Sequence, residues 1–510
     1  MSVGDMTDHP VALRLHRADN VLVALRSVPA GTRLPGGVVA AQAIPAGHKI
    51  ALCDIALGKP ILKYGQMIGM AIAPIPAGGH VHVQNLGMGE HKQDHAFGAA
   101  AHRLPDAEGR AEFLGYHRPS GRVGTRNYLG ILTSVNCAGS VARFIAEAAQ
   151  RADLLADFPN VDGIVPIVHG SGCGMSGRGE GYDTLFRTLA GYGQNANFGA
   201  ILMVGLGCEV MQIPDLIDRR ALKDSARFRY MMIQHEGGTA ATVDKGLAVL
   251  RDLAAEANSA RRAPAPARHL VLGMQCGGSD GYSGITANPA LGVASDLLVR
   301  HGGTSILSET SEIYGAEHLL TRRAVDAATG RKLIDLIDWW EDYTARNFGE
   351  MDNNPSPGNK RGGLTTILEK SLGAVAKGGS APLSGVYKFA EPITTPGFVF
   401  MDSPGYDPCS VTGQIASGAN LIAFTTGRGS VSGYQPVPSI KIASNSDLWR
   451  RMHTDMDVNC GDILEGVSLE AKGHEIFELM LQTASGQPTK SEAQGFGAVE
   501  FVPWQIGAVM

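Results

Sequence analysis

VLGMQCGGSDGYSGITANPALG, residues 271–292, is an apolar run that ends in a cysteine and two glycines and then feeds a capped helix. Val271 and Leu272 read as a buried strand, and Cys276, Gly277 and Gly278 as a tight turn poor in side chains. Asn288 reads as an N-cap and Pro289 as a residue of the first helical turn. Strand, loop and helix in that order form a unit of an open α/β sheet, whose ligands bind at the carboxyl ends of the strands. Three other apolar runs end the same way: LGILTSVNC (129–137), IVPIVHGSGC (164–173) and AILMVGLGC (200–208). Cys137 and Cys173 are 36 residues apart, Cys173 and Cys208 are 35 apart, and Cys208 to Cys276 is 68. One βα unit needs roughly 30 residues. The double step holds FRYMMIQ (228–234), a strand without a cysteine, and a helical pattern to residue 260. The expectation is four thiols, Cys137, Cys173, Cys208 and Cys276, at one edge of one parallel sheet.

With 510 residues, 44% of them hydrophobic and 18% charged, the chain has core enough for two to four globular domains. A net charge of -5 without any Lys/Arg run argues against nucleic acid as a partner. No apolar run reaches the roughly 18 residues of a membrane span. MSVGDMTDHP at the N-terminus lacks the regions of a signal peptide, so a cytoplasmic setting is expected. There the seven cysteines act as core residues, ligands or nucleophiles rather than disulfides. A homodimer is the assembly expected on general grounds.

Residues 11–92 hold short alternating runs separated by PAG and LGKP turns, which predicts an all-β domain over 1–92. Residues 93–112 lack periodicity and read as a linker. From 113 the pattern becomes βα alternation, with helices expected at 140–155, 180–192, 238–260, 289–300, 314–348 and 469–483. APAPA (263–267) reads as a hinge dividing the catalytic region into lobes 113–262 and 263–510, or as a surface loop. GEMDNNPSPGNKRGG (349–363) is too long for a connector and is a candidate lid or binding loop.

Thiolates select zinc, iron or iron–sulfur clusters. His169, four residues before Cys173, reads equally as a nitrogen ligand, a general base or a polar loop residue. Arg126 in GTRN and Arg428 in TGRG stand among small residues, where a planar guanidinium suits a carboxylate. Lys360 in NPSPGNK could hold substrate or act as a catalytic base, and Glu309 and Glu312 follow a strand as candidate acid/base groups or hard metal ligands. A dinucleotide site fails because no G-x-G-x-x-G opens the first helix.

GHKIALCDI with KYG in the β domain, GTRNYLGILTSVNC, HGSGCG, GLGCE, QCGGSDGYSGITANPALG, NPSPGNK and FTTGRG together resemble the altronate dehydratase / galactarate dehydratase family. The resemblance implies an α/β protein with an N-terminal SAF (β-clip) domain and a Rossmann-like parallel-sheet catalytic region. It also implies iron and the removal of water from a sugar acid, altronate ahead of galactarate, to give a 2-keto-3-deoxy acid. On that footing iron is either a cluster on Cys173, Cys208 and Cys276, with Cys137 as neighbour or alternative ligand, or a mononuclear Fe(II). Arg126, Arg428 and Lys360 would hold carboxylates, and Ser279, Asp280 and Asn288 would orient hydroxyls. His169 and Glu309 lead as the base, with His48 available if the β domain closes like a lid. Readings of another class are a non-catalytic sugar-acid sensor and an NAD-linked oxidoreductase.

Overall fold

The structure is a computed structural model that describes residues 10–89, 93–220, 222, 226–507 and 509. The expected β domain is present, although 1–9 and 90–92 of its expected span lie outside the described residues. Strands Ala12–Leu13, Val21–Ala24, Lys49–Ala51 and His80–Val81 pair antiparallel in that order, beside a smaller sheet of Pro60–Lys63, Gln66–Ala71 and Leu86–Gly87. The segment 93–111 is a strap tied down along the surface. Gln93 Nε2 donates to Gly315 O at 2.7 Å, His95 Nε2 meets Glu317 Oε1 at 3.0 Å, and Arg322 bridges Asp94 at 2.6 Å.

The catalytic region contains three further sheets. One is four-stranded and parallel, in the order Gly163–Ile167, Tyr128–Thr133, Phe198–Gly205, Phe228–Met232. A second is antiparallel and three-stranded: Arg262–Pro266, Glu112–His117, Val123–Gly124. APAPA is thus neither hinge nor surface loop. It lies largely within an edge strand, where proline's missing N–H interrupts no ladder.

The third sheet is parallel and seven-stranded, ordered Leu383–Tyr387, Gly397–Met401, Thr304–Leu307, Val271–Cys276, Leu421–Thr426, Ser439–Ala443, Val458–Asn459. From Val271–Cys276 the chain first builds outward through Thr304–Leu307 and then returns to lay Leu421–Thr426 on the other side. The order therefore reverses at Val271–Cys276, and open α/β sheets bind ligands at the carboxyl ends flanking such a reversal. Helix Ala287–Arg300 buries Ala287, Ala290, Leu291, Ala294, Leu297 and Leu298, a helical stripe, and packs against helix Leu469–Ala484.

Three expectations need correction. The four thiols are divided between two sheets, because Cys137, Cys173 and Cys208 follow strands of the four-stranded sheet and Cys276 ends a strand of the seven-stranded one. A regular βα spacing fixes how many strands there are, not which sheet each joins. Asn288 is not an N-cap: the helix starts at Ala287 after Thr286, and the amide bridges Gly373 O (2.9 Å) and Thr425 Oγ1 (2.6 Å). The expected helix over 314–348 is broken into Glu317–Thr321 and Ala327–Arg346, since Asp326 accepts from Thr329 N at 2.7 Å and starts a second helix. Among the described residues no helix is long and apolar enough to cross a membrane.

Candidate active site

At the carboxyl ends of Val271–Cys276 and Thr304–Leu307 the interior is charged. Cys276 closes its strand fully buried, and its Sγ lies 3.9 Å from Glu309 Oε2 and 3.8 Å from Glu312 Oε2. Glu309 occupies left-handed backbone (φ 72°), held by its N–H donating to Ser403 Oγ at 3.0 Å. Such a conformation is uncommon for a residue with a side chain and is concentrated at functional sites. Lys370, on helix Ile367–Val375, donates to Glu312 Oε1 at 2.6 Å, and Lys377, in the turn Ala376–Gly378 that follows the helix, approaches Glu309 Oε2 at 3.3 Å. From the long loop foreseen as a lid, Asn354 Nδ2 donates to Glu312 Oε1 at 2.7 Å. Asp407 completes the group. A Cβ on Gly277 would fall 2.3 Å from Asp407 Oδ2 and 2.7 Å from Phe424 Cζ, so glycine lets both side chains close over this turn.

The side chains of Lys377, Glu309, Glu312 and Lys370 are at most 5% exposed. Burial and then the neighbouring charge of Glu312 push the Glu309 carboxyl well above the usual range, against the pull of Lys377. The same two causes raise Asp407. Burial pushes the Cys276 thiol up to about 12. Lys370 resists its own burial because Glu312 is beside it and stays above its ordinary value. A buried carboxyl kept protonated beside an ion-paired carboxylate is the pattern that separates a general acid from a general base. One oxygen of Glu309, Oε1, is buried without a partner and is left over for a ligand. Lys370, Lys377 and Asp407 did not stand out in the sequence. The signal was two lysines in the otherwise small and apolar run SLGAVAKGG and the residue just before it.

The other expected site residues divide sharply. Arg126 has five N–H groups and all five are occupied: Nε and Nη2 on Glu492 at 2.7 and 2.8 Å, and the rest on the carbonyls of Thr125, Thr483 and Gln487. It clamps the four-stranded-sheet region to the C-terminal segment and has nothing left for a substrate. Arg126→Ala should lower stability by about 3 kcal/mol and leave KM for any sugar acid unchanged. A raised KM with an unchanged urea midpoint would contradict that assignment. Asp280 is a structural node, accepting from Tyr282 N, Ser283 N and Oγ, Ser444 Oγ and Asn445 Nδ2. Asn288 is likewise held in place, its amide spanning Gly373 O and Thr425 Oγ1. Ser279 remains available, with a buried Oγ that has no partner. Arg428 is exposed beside the reversal point, its N–H on Gly278 O at 2.8 Å, and Lys360 is half-buried on the short helix Pro357–Arg361.

His169 is buried with both ring nitrogens engaged, Nε2 donating to Thr133 O at 3.1 Å and Nδ1 accepting from Ser171 N at 3.2 Å. Burial lowers it to about 4, so it organises its loop rather than serving as a base. His48 lies in the β domain, where its Nδ1 is 3.0 Å from His80 Nε2 and its Nε2 is 3.3 Å from Arg361 O. The β domain is docked on the catalytic region. Lys49 and Lys63 donate to the two oxygens of Glu369 at 2.7 and 2.9 Å, all three side chains at most 1% exposed.

Cys137, Cys173 and Cys208 are exposed free thiols on three loops laced together at one sheet edge. Asn136 N donates to Ser171 O at 2.9 Å, Met211 N to Gly172 O at 3.0 Å, and Ser134 Oγ to Glu209 Oε1 at 2.7 Å. Each bond is within three residues of a cysteine. The three sulfurs do not lie mutually within 4.8 Å, the spacing one ion would need, whereas a cluster of several irons holds its thiolates over a wider triangle. Cys276, with Glu309 and Glu312, does meet that spacing, but Lys370 and Lys377 already occupy an oxygen of each carboxyl group. Donor chemistry thus suits iron at the exposed trio, while Cys276 stands apart from it on the seven-stranded sheet. Asn136 and His169 line a cleft of about 750 Å³ whose opposite wall includes Pro404 and Tyr406. Gly405, between those two, packs directly on Glu312.

Comparison with known proteins agrees with this architecture throughout. Three family models match: the altronate/galactarate dehydratase SAF domain over 10–89, the D-galactarate dehydratase/altronate hydrolase second domain over 115–258, and the D-galactarate/altronate dehydratase C-terminal domain over 267–509. Galactarate dehydratase (L-threo-forming) of Escherichia coli is 38% identical, covering 93% of each chain. Altronate dehydratase of the same organism is 34% identical over 95% of this chain and 97% of its own. The (2R)-sulfolactate sulfo-lyase subunit beta of Chromohalobacter salexigens is 32% identical over 75% of this chain and 95% of its own. Likeness at that level along nearly the whole length, with all three domain models in order, makes the chain a member of the altronate/galactarate dehydratase family, a hydro-lyase with a SAF domain ahead of its α/β catalytic region.

Proposed function

We propose that this enzyme removes water from a six-carbon sugar acid, altronate first and galactarate as the alternative, giving the 2-keto-3-deoxy acid. The observation that carries the reading is the buried Glu309–Glu312–Lys370–Lys377 group at the reversal point of the seven-stranded sheet. Dehydration takes the proton on the carbon next to the carboxylate and expels the hydroxyl one carbon further on. The C–H pair forms the new C=C, the C–O pair leaves with the hydroxyl, and the resulting enol tautomerises to the ketone. Glu312, ion-paired with Lys370, accepts the carbon-bound proton. Glu309, kept protonated by burial and by Glu312, donates a proton so that the hydroxyl leaves as water. Lys370 and Lys377 stabilise the charge that develops on the carboxylate oxygens, in a dry interior where such stabilisation is strongest.

Iron is the cofactor we propose, held by Cys137, Cys173 and Cys208. When bound it supplies Lewis acidity toward a substrate oxygen. Cys173→Ser should release iron, measured by metal analysis of anaerobically purified protein, while Cys276→Ser keeps it. Retention of full iron in Cys173→Ser would refute the assignment. Galactarate carries a carboxylate at each end and altronate only one. A second cation near the far end of the substrate, for which exposed Arg428 is the candidate, would therefore favour galactarate. A panel of aldonates and aldarates assayed under reducing conditions with ferrous iron decides the substrate, and no keto acid from any of them would defeat the dehydratase reading. Free thiols at all seven cysteines suit a reducing, cytoplasmic setting.

A further inference from the structure

His80 and His82 are two apart at the end of strand His80–Val81, and alternation along an extended chain turns both rings to one side. His48, one residue before strand Lys49–Ala51, joins them. The rings of His48 and His82 are 4.7 Å apart between centroids, and those of His48 and His80 are 5.1 Å apart. One nitrogen from each ring lies within 4.8 Å of the other two. We propose that His48, His80 and His82 form a binding site for a divalent first-row transition ion, held by three imidazoles with a fourth position left open.

Four observations carry it. His82 Nδ1 is buried and has no hydrogen-bond partner, an expensive state for a ring nitrogen unless something binds there. His48 Nε2 points its N–H at Arg361 O, which turns the Nδ1 lone pair toward His80 Nε2. That arrangement, with a carbonyl fixing the far nitrogen, is the usual support of a metal-bound histidine. Nδ1 of His48 and Nε2 of His80 are 3.0 Å apart. Two nitrogens on bonds of about 2.0–2.1 Å to a tetrahedral ion would be roughly 3.3 Å apart. Burial lowers all three rings, His80 to about 4 and His82 to about 3, so they are neutral and ready to coordinate at neutral pH. Lys49 adjoins the three rings, and its ion pair with Glu369 at 2.7 Å offsets part of its repulsion at His48 and His82.

The site lies at the seam between domains, where His48 touches the Arg361 loop and Lys49 donates to Gly363 O at 2.7 Å. A bound ion would stiffen that seam, and its ligands are shared with neither the acid group nor the exposed cysteines. The test is a cobalt(II) titration of full-length, chelator-stripped protein, read by the visible bands of tetrahedral cobalt with nitrogen ligands. Wild type and Cys173→Ser should both develop these bands. His80→Gln/His82→Gln should weaken binding by more than about 100-fold, since even outer-shell losses at metal sites reach 10–100-fold. His48→Gln, a single change on another strand, should do the same if the double variant folds poorly. Equal titration of wild type and either variant, or no cobalt bands in folded wild type, overturns the proposal. Neither outcome touches the dehydratase reading, which rests on other residues and on keto-acid release.

Discussion

Glu309→Gln is expected to lower kcat by about 10²–10⁴-fold, the range a positioned general acid supplies. The amide preserves the shape of a side chain that is uncharged in its working form, so substrate binding should change little and KM should stay near wild type. The pH profile makes the test specific. Burial and Glu312 raise the Glu309 carboxyl above its ordinary value, so the acid is present at low pH and lost as pH rises through that raised value. Wild type should therefore lose kcat on the alkaline side. The residual activity of Glu309→Gln should lack that limb. An alkaline limb unchanged in the variant would move the acid to another group, with Asp407 the next candidate because its carboxyl is raised by the same causes.

The largest effect on stability is expected from Glu369→Ala. Glu369 accepts from Lys49 and Lys63 and also from Thr365 N and Oγ1, at 3.0 and 2.7 Å. Removing the carboxylate strands two lysines without water or counter-ion, a loss of about 3–5 kcal/mol for a broken buried pair. That is a large part of the 5–15 kcal/mol that holds a typical protein folded. Burial by itself would raise the Glu369 carboxyl, and the two lysines reverse the sign and hold it far below the usual range. A depressed folded value contributes stability above the unfolded carboxylate value, about 4.3, and that contribution fades as pH falls below it. Urea midpoints should thus fall steeply in acid for wild type and less steeply for Glu369→Gln. Equal midpoints for wild type and Glu369→Ala at pH 7 would mean that the knot adds nothing.

What the sequence made legible were the elements, because each is a local pattern. The strands that lead to Cys137, Cys173, Cys208 and Cys276 were readable from period and turn residues alone, as were the helices after Cys137, Cys173 and Cys276, whereas helix Ile213–Arg220 after Cys208 was not among those expected. Pairing was less so. Nothing within residues 200–276 tells whether the next strand extends a sheet or founds another. APAPA looked like a break because proline usually is one, and only its antiparallel partner Glu112–His117 makes it a strand. Arg126 looked like a carboxylate anchor and is one, but its carboxylate is Glu492, 366 positions away. Lys370 and Lys377 are hidden by apolar neighbours that read as ordinary core. HVHV was read as strand residues, although two histidines in alternation are also a ligand pattern.

The tethered strap at 93–111 has a consequence for chain integrity. A backbone nick there would sever the covalent link between the SAF domain and everything after it, yet Lys49 and Lys63 would still grip Glu369 from across the break. Brief protease treatment should give two bands on a denaturing gel and one peak by gel filtration, with turnover intact, so the two portions would behave as natural subunits of a split enzyme.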